Sequence, residues 1–190
     1  AAERQIPGRI EAIHTVELRA RTEGVITRIH FRDGQYVKKG DVLFELDDAE
    51  PRAALRLAQA EVRSAEATLR QAQQQLSRFE SLGSSNAVSR HDVDNARMQR
   101  DVASAALEQA KARLETRNVT LNYTRITSPI DGRVGHSRFH VGSLVNPASG
   151  VLVEVVQLDP IRIAFALEEG AFATKAGQHV DISAMKQAWQ

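Results

Sequence analysis

A short pattern of glycines and β-branched residues occurs twice in this chain, and a long run of helix-forming residues separates the two copies. The first copy spans residues 24–47 and the second spans residues 132–156. Short alternating apolar runs bounded by glycine turns predict β-strands, and a repeated pattern predicts two similar β units. Each unit alone would leave its apolar face exposed to water. We therefore expect one β domain whose two halves are joined by a helical insertion.

Glycines occupy matching places in the two β units, and the second glycine follows the first by ten residues in each copy. The glycines assigned to turns are Gly24, Gly34, Gly40, Gly132 and Gly142. Turn geometry explains them, because glycine adopts backbone angles that other residues disfavour. We expect a structural role for all five.

The insertion, from Asp48 to about Asn122, is rich in Ala, Gln, Arg and Glu, a composition typical of helices. Apolar residues recur along it with the seven-residue spacing of a coiled-coil seam, and small or aromatic residues follow many of them by three. The predicted seam residues are Leu55, Val62, Leu69, Leu76, Val93, Leu107, Leu114 and Leu121. Arg100 and Arg117 interrupt the seam in the second half.

A break at residues 82–86 divides the insertion into two helices. A link this short predicts an antiparallel hairpin, a rod of about 45 Å for helices of roughly 30 residues. Asp48 is expected to cap the first helix. Ser89, with Asp92 three residues later, predicts that the second helix begins near Arg90.

Composition excludes several classes of partner and chemistry. The net charge is +1 and the chain has no cysteine, so neither a nucleic-acid surface nor a thiolate metal site is expected. The six histidines have no metal-ligand spacing, and no catalytic or cofactor-binding motif occurs. The acidic cluster at Asp47, Asp48 and Glu50 is explained by its place at a helix start. We predict a protein that is not an enzyme and has no cofactor or metal.

Charged residues of both signs are interleaved along the two helices. We expect them to form a solvated, ion-paired surface rather than a patch for nucleic acid. They are Arg63, Arg70, Arg97, Arg100, Arg113, Arg117, Glu61, Glu66, Asp101, Glu108 and Glu115.

Each β unit resembles half of a lipoyl or biotinyl carrier domain, as in residues 33–37 (DGQYV) and 128–134 (SPIDGRV). In carriers the modified lysine lies in the turn that joins the halves. Here residues 45–50 (ELDDAE) lead into the hairpin, and no lysine occurs at that junction. A carrier role is therefore the less favoured alternative.

A lipoyl-like domain split by a helical hairpin resembles the periplasmic adaptors, or membrane fusion proteins, of the HlyD-like family. Residues 6–9, 123–133 and 157–161 are most similar to adaptors of resistance-nodulation-division (RND) multidrug pumps. The resemblance implies an α+β fold. Its expected domains are a partial β-barrel domain at 1–20 and 158–190, a lipoyl-like domain at 21–47 and 124–157, and a hairpin at 48–123 with its tip near 80–89.

The hairpin tip is similar to a motif of these adaptors in which an Arg-Leu pair precedes a leucine, a serine and an aspartate. The matching residues are Arg78, Phe79, Leu82, Ser89 and Asp94, with Phe79 where the family has leucine. The resemblance implies that this tip contacts the helical ends of a TolC-like outer-membrane channel. Leu82 closing the hairpin and Ser89 capping a helix explain two of these residues without docking.

The resemblance implies a periplasmic protein of Gram-negative bacteria that joins an inner-membrane RND transporter to the channel and supports antibiotic resistance by drug efflux. Several copies, six in the family's usual arrangement, are expected to form a conduit. The chain has no apolar run of about 18 residues, so we expect anchoring through an N-terminal signal or lipid anchor absent from it. An adaptor of an ATP-driven exporter or of a type I secretion system is the alternative.

Overall fold

The computed structural model describes the backbone of residues 8–85 and 88–165, and the side chains of residues 14–85 and 88–157. Residues 14–159 form one compact unit, and residues 1–13 with 160–190 form a second. Val180 and Ile182, whose alternation in sequence predicts a further strand, lie outside the described residues.

Within the described residues, four strands precede the helical insertion and four follow it. The first four are β1 (Gly8–Arg19), β2 (Gly24–Ile29), β3 (Tyr36–Val37) and β4 (Val42–Leu46). Helices α1 (Ala49–Gly83) and α2 (Arg90–Asn122) come next. The last four strands are β5 (Arg125–Thr127), β6 (Gly132–Val134), β7 (Leu144–Val145) and β8 (Val151–Phe165). The fold is therefore α+β with two β halves on either side of a hairpin, as the sequence predicts.

The two halves exchange strands rather than forming separate sheets. One sheet has the order β1-β8-β6-β3, and the other has the order β5-β4-β2-β7. Strand β3 of the first half pairs with β6 of the second, and β7 of the second half pairs with β2 of the first. Neither half can complete a sheet alone, which is why the sequence repeat forms one domain.

The hydrogen bonds at this exchange repeat in both halves. The Gly34 N–H donates to the Val134 carbonyl at 2.8 Å, and the Val134 N–H donates to the Gln35 carbonyl at 2.9 Å. At the equivalent place, the Gly142 N–H donates to the Ile26 carbonyl at 2.8 Å. The β domain therefore has an approximate two-fold symmetry that follows the sequence repeat.

The apolar side chains of both halves form one core. Phe44, Leu43, Leu152 and Val155 are fully buried in it. Phe31 packs edge to face on Phe44 with ring centroids 5.3 Å apart, a favoured aromatic geometry. Burial of residues from both repeats in one cluster holds together segments that the whole hairpin separates in sequence.

The turn assignment is right for three of the five glycines and wrong for two. Gly34, Gly40 and Gly142 have positive φ angles of 77°, 94° and 92°, which suit glycine in turns. Gly24 and Gly132 instead begin strands β2 and β6. A Cβ at Gly132 would lie 2.4 Å from the Val156 carbonyl oxygen, so this glycine is required by the close approach of β8.

Helices α1 and α2 pack against each other as an antiparallel hairpin. They have 35 and 33 residues and are therefore about 50 Å long. Of the eight predicted seam residues, Leu76 and Leu107 are buried and the other six are half-buried. Four alanines, Ala58, Ala96, Ala103 and Ala110, are also buried between the helices. Small residues at the seam allow the two backbones to approach closely.

The helix starts differ in how they are capped. Ser89 accepts a hydrogen bond from the Asp92 N–H, and α2 begins at Arg90 as predicted. Asp48 occupies the N-cap position of α1, but its side chain makes no capping hydrogen bond. Its carboxylate binds the guanidinium of Arg52, while Asp47 accepts from the Ala49 N–H at 3.0 Å. The cap that we expected from Asp48 is therefore replaced by an ion pair.

Two features differ from the expected boundary between the β domain and the partial barrel. Leu18 and Ala20 are buried in the core of the 14–159 unit, although residues 1–20 were assigned to the barrel. Strand β8 runs from Val151 to Phe165 and crosses the domain boundary expected between residues 157 and 158. The domain boundaries that the resemblance implies stay a prediction.

Candidate docking site at the hairpin tip

The tip of the hairpin is built by the last turns of α1, the residues that follow it and the first turn of α2. The Ser84 hydroxyl donates to the Ser81 carbonyl at 2.7 Å, and the Ser85 hydroxyl donates to the Leu82 carbonyl at 2.8 Å. These bonds satisfy carbonyl groups that the end of a helix leaves without partners. These hydrogen bonds stabilise the end of α1 and the residues that follow it as far as Ser85. Residues 86 and 87 are not among the described residues.

Four of the five predicted tip residues are exposed, namely Arg78, Leu82, Ser89 and Asp94. Arg78 is exposed, and its guanidinium donates one hydrogen bond to the Gln75 side chain at 2.9 Å. Leu82 is 45% exposed, which is high for a leucine in a helix. Phe79 is half-buried. The tip therefore presents a guanidinium with several unused donors and an exposed apolar side chain.

Ser89 and Asp94 are engaged in bonds within the chain. The Ser89 hydroxyl accepts from the Asp92 N–H at 3.1 Å and donates to the Asp92 carboxylate at 2.5 Å. Asp94 lies 3.7 Å from the Arg97 guanidinium. These contacts stabilise the start of α2, and they leave Arg78 and Leu82 as the better candidates for contact with a partner.

A charged bridge between the helices stands just behind the tip, and it was not predicted. The Arg97 guanidinium of α2 reaches Glu80 of α1 at 3.3 Å, in addition to Asp94 on its own helix. The sequence shows the spacing of Asp94 and Arg97 on one helix. It does not show which residue of α1 lies opposite, because that depends on the register of the two helices.

A second set of polar contacts lies in the β domain, close in sequence to the base of the hairpin. Glu45 of β4 lies 3.4 Å from the His30 ring and 3.3 Å from the Arg125 guanidinium. The hydrogen bond from His30 is the main reason that the pKa of Glu45 lies below its usual range, and Arg125 adds to it. Arg21 stacks over the Tyr123 ring at 5.3 Å. Sequence patterns predicted none of these contacts, since they join distant segments.

Metal-ligand side chains do not cluster within the described residues. No set of three or more His, Asp or Glu side chains is arranged there to hold a metal ion. The closest His and carboxylate pair across the halves, His136 with Asp33 at 2.5 Å, is exposed. Its hydrogen bond holds the pKa of Asp33 below the usual range.

A membrane-spanning helix is not found in the described parts of the chain, since neither α1 nor α2 is apolar enough.

The family described as "RND MFP, barrel-sandwich hybrid domain" matches residues 14–157 of this chain. The multidrug resistance protein MdtA of Cronobacter turicensis is 35% identical over 184 residues. That alignment covers 93% of this chain and 44% of MdtA, so the chain spans less than half of this relative.

Solved structures share the fold. MacA from Actinobacillus actinomycetemcomitans matches with a TM-score of 0.72 and 32% identity, covering 90% of this chain and 58% of MacA. A MacA-MexA chimera that contains the Pseudomonas aeruginosa MexA α-hairpin domain matches with a TM-score of 0.58 and 37% identity, with the same coverage.

Proposed function

This chain belongs to the RND membrane fusion protein family, and from that premise we propose that it is the central part of a periplasmic adaptor for drug efflux. The adaptor links an inner-membrane RND transporter to a TolC-like outer-membrane channel. It is anchored to the inner membrane through an N-terminal signal or lipid anchor, and it has no catalytic role. The name of the MdtA relative, a multidrug resistance protein, supports a role in drug efflux.

The observation that carries the proposal is the shape and surface of the hairpin. Two helices of about 50 Å extend from a β domain and end in the exposed Arg78 and Leu82. The residues at the far end of such an arm do not contribute to the hydrophobic core of the β domain. Its use is to bring the tip to a partner at a distance from the β domain.

The tip chemistry fits the ends of helices on a partner. The Arg78 guanidinium has donors beyond the one used by Gln75, and these suit the unpaired carbonyl or carboxylate groups at a helix end. Leu82 supplies an apolar anchor beside it. Ser89 and Asp94 act mainly by shaping the first turn of α2, which holds the two contact residues in place.

Six copies side by side form the conduit in this proposal. The β domains and hairpins of neighbouring copies then enclose a path between the transporter and the channel. In this proposal, drug selectivity resides in the transporter.

Drug susceptibility tests the proposal. A Gram-negative strain that lacks its own adaptor would receive the full-length protein together with an RND transporter, or with an ATP-driven exporter, and its TolC-like channel. We expect resistance to rise only with the RND transporter. Resistance that rises only with the ATP-driven exporter would replace the proposed partner, and no rise with either would contradict the adaptor function.

A further inference from the structure

An arginine of α2 joins the two helices just behind the hairpin tip. The terminal nitrogens of the Arg97 guanidinium reach two different helices. Nη2 lies 3.3 Å from the Glu80 carboxylate of α1, and Nη1 lies 3.7 Å from the Asp94 carboxylate of α2. A guanidinium presents its donors in a rigid planar fork, so one side chain can hold two carboxylates at once. We call these three residues the Arg97 clamp.

Ion pairs between the helices occur at two places in the described part of the hairpin. One is the pair of Arg97 with Glu80 at the tip, and the other is the longer pair of Arg113 with Glu61 at 4.0 Å. The ion-paired surface expected from the sequence is therefore wrong in part. Several of its charged residues make no ion pair with a described residue, among them Arg63 and Arg70.

Full burial of apolar side chains ends before the tip. Among the described residues, Leu76 on α1 and Ala96 on α2 are the last buried residues of the seam. Closer to the tip, Phe79, Val88 and Val93 are half-buried. Segments with few buried apolar contacts move more easily than the core of a fold. A polar contact therefore has more influence on the last turn of α1 than on the middle of the rod.

Helix geometry relates the Arg97 clamp to the two candidate contact residues. Arg78 and Leu82 are four residues apart, so they lie on the same face of α1. Glu80 lies midway between them in sequence and about 160° from each around the helix axis. Because Glu80 is bound to α2, the face with Arg78 and Leu82 is directed away from α2. The contact at Glu80 thus sets the rotation of the last turn of α1.

We propose that Arg97 is a positioning residue for the docking of the hairpin tip. Its guanidinium is held by Asp94 on its own helix and binds Glu80 on the other. This contact fixes the rotation of the last turn of α1 and so directs Arg78 and Leu82 toward the channel. The inference rests on the tip docking of the proposed function. It gives Asp94 a role within the chain in place of a contact with the channel.

The Arg97 clamp is able to orient the tip while contributing little to the stability of the hairpin. The side chains of Arg97 and Glu80 are 51% and 50% exposed, and water weakens ion pairs of this kind. Docking depends on the fraction of copies whose tip has the competent orientation, so a small bias changes it measurably. We expect loss of the clamp to reduce docking about fivefold while the hairpin stays folded.

Spin labels measure the orientation of the last turn without the channel. The sequence has no cysteine, so labels can be attached to Ser81→Cys and Arg90→Cys, at exposed positions on α1 and α2. In the full-length protein we expect a narrow distribution of distances between the labels. Adding Arg97→Glu should broaden or shift that distribution. An unchanged distribution would overturn the proposal.

Photo-cross-linking measures the effect on docking. A photoreactive amino acid at position 81 leaves Arg78 and Leu82 in place, in full-length protein made in cells with the transporter and the TolC-like channel. Arg97→Glu should lower the yield of channel adduct about fivefold. Arg113→Glu breaks the other pair between the helices, about 24 Å along α2, and should leave the yield near that of the wild type. Equal losses with the two variants would overturn a specific role for Arg97.

Exchange of the two charges separates positioning from direct contact. Glu80→Arg combined with Arg97→Glu places the guanidinium on α1, opposite carboxylates on α2, so the adduct yield should return toward the wild-type level. A yield that stays low, in a protein that melts at the wild-type temperature, would indicate that Arg97 itself touches the channel. That result would overturn the positioning role.

The same cells distinguish this inference from the proposed function. If the protein with the photoreactive residue confers resistance but gives no channel adduct, docking through the tip is contradicted, and with it the role of Arg97. If it gives the adduct and Arg97→Glu gives the same yield, the proposed function stands and the role of Arg97 is overturned.

Discussion

Val37 lies directly opposite Gly132 in the antiparallel pair of β3 and β6, although the entire hairpin separates them in sequence. Their counterparts in the repeat, Val145 and Gly24, lie opposite each other in the pair of β7 and β2. These two pairings close the β domain. The hairpin therefore begins and ends at one rigid base, which keeps its tip at a fixed distance from the β domain.

Gly132→Ala should destabilise the β domain by about 1–3 kcal/mol, because the added methyl group meets the Val156 carbonyl oxygen at 2.4 Å and β8 must move. Gly83→Ala is the matched control. A Cβ there lies at an ordinary 3.6 Å from the Val93 side chain, and alanine favours the helix. Urea unfolding of both variants measures the difference, and equal stabilities would contradict the close approach of β8.

Leu107→Asp should destabilise the hairpin by several kcal/mol, because a carboxylate would be buried between the helices without a partner. Gln109→Asp places the same group on the exposed edge of α2 and should cost far less. The measurement is thermal unfolding followed by helical circular dichroism. Similar melting temperatures for the two variants would show that the seam is assigned to the wrong face.

Acid should weaken the β domain through Glu45. Its pKa is below the usual range in the folded protein, chiefly because of the hydrogen bond from His30. The stability that this carboxylate contributes is present above its pKa in the unfolded chain, and is lost as the pH falls through the lower folded pKa. Glu45→Gln should therefore be less stable than the wild type at pH 7, and this difference should shrink in acid. Melting temperatures from pH 7 into the acidic range measure this difference, with Glu115→Gln as a control expected to follow the wild type. A difference that grows in acid would contradict the prediction.

Arg78→Asp should abolish resistance without unfolding the protein, since an exposed residue at the tip normally changes stability by under about 0.5 kcal/mol. Leu82→Ser should act in the same direction by removing the apolar anchor. Arg32→Asp, an equal charge change in an exposed loop of the β domain, is the control. Drug susceptibility and melting temperature are measured for each variant. Full resistance with both tip variants would place the outer-membrane contact elsewhere.

Local patterns predicted much of this fold. The seven-residue spacing of the seam and the Ser89 cap depend on neighbours in sequence, and the repeated glycines indicated two matching β halves. Gly132 was assigned to a turn because its conflict with Val156 exists only after β8 has packed. The bridge from Arg97 to Glu80 and the contacts of Glu45 with His30 and Arg125 depend on register and tertiary packing, so no spacing could predict them.

The candidate docking site could likewise be predicted only in part from the sequence. The resemblance selected five tip residues. In the structure Arg78 and Leu82 are exposed, whereas Ser89 and Asp94, although exposed, are also engaged in the start of α2.

Photo-cross-linking from the tip tests the central claim most directly. A photoreactive amino acid would replace Leu82 in the full-length protein, in cells that contain the transporter and the TolC-like channel. A second protein with the same amino acid at Lys38, exposed in the β domain, is the control. We predict an adduct with the channel from position 82 and none from position 38. An adduct from position 38 alone, or no channel adduct from position 82 in cells where the protein confers resistance, would contradict docking through the hairpin tip.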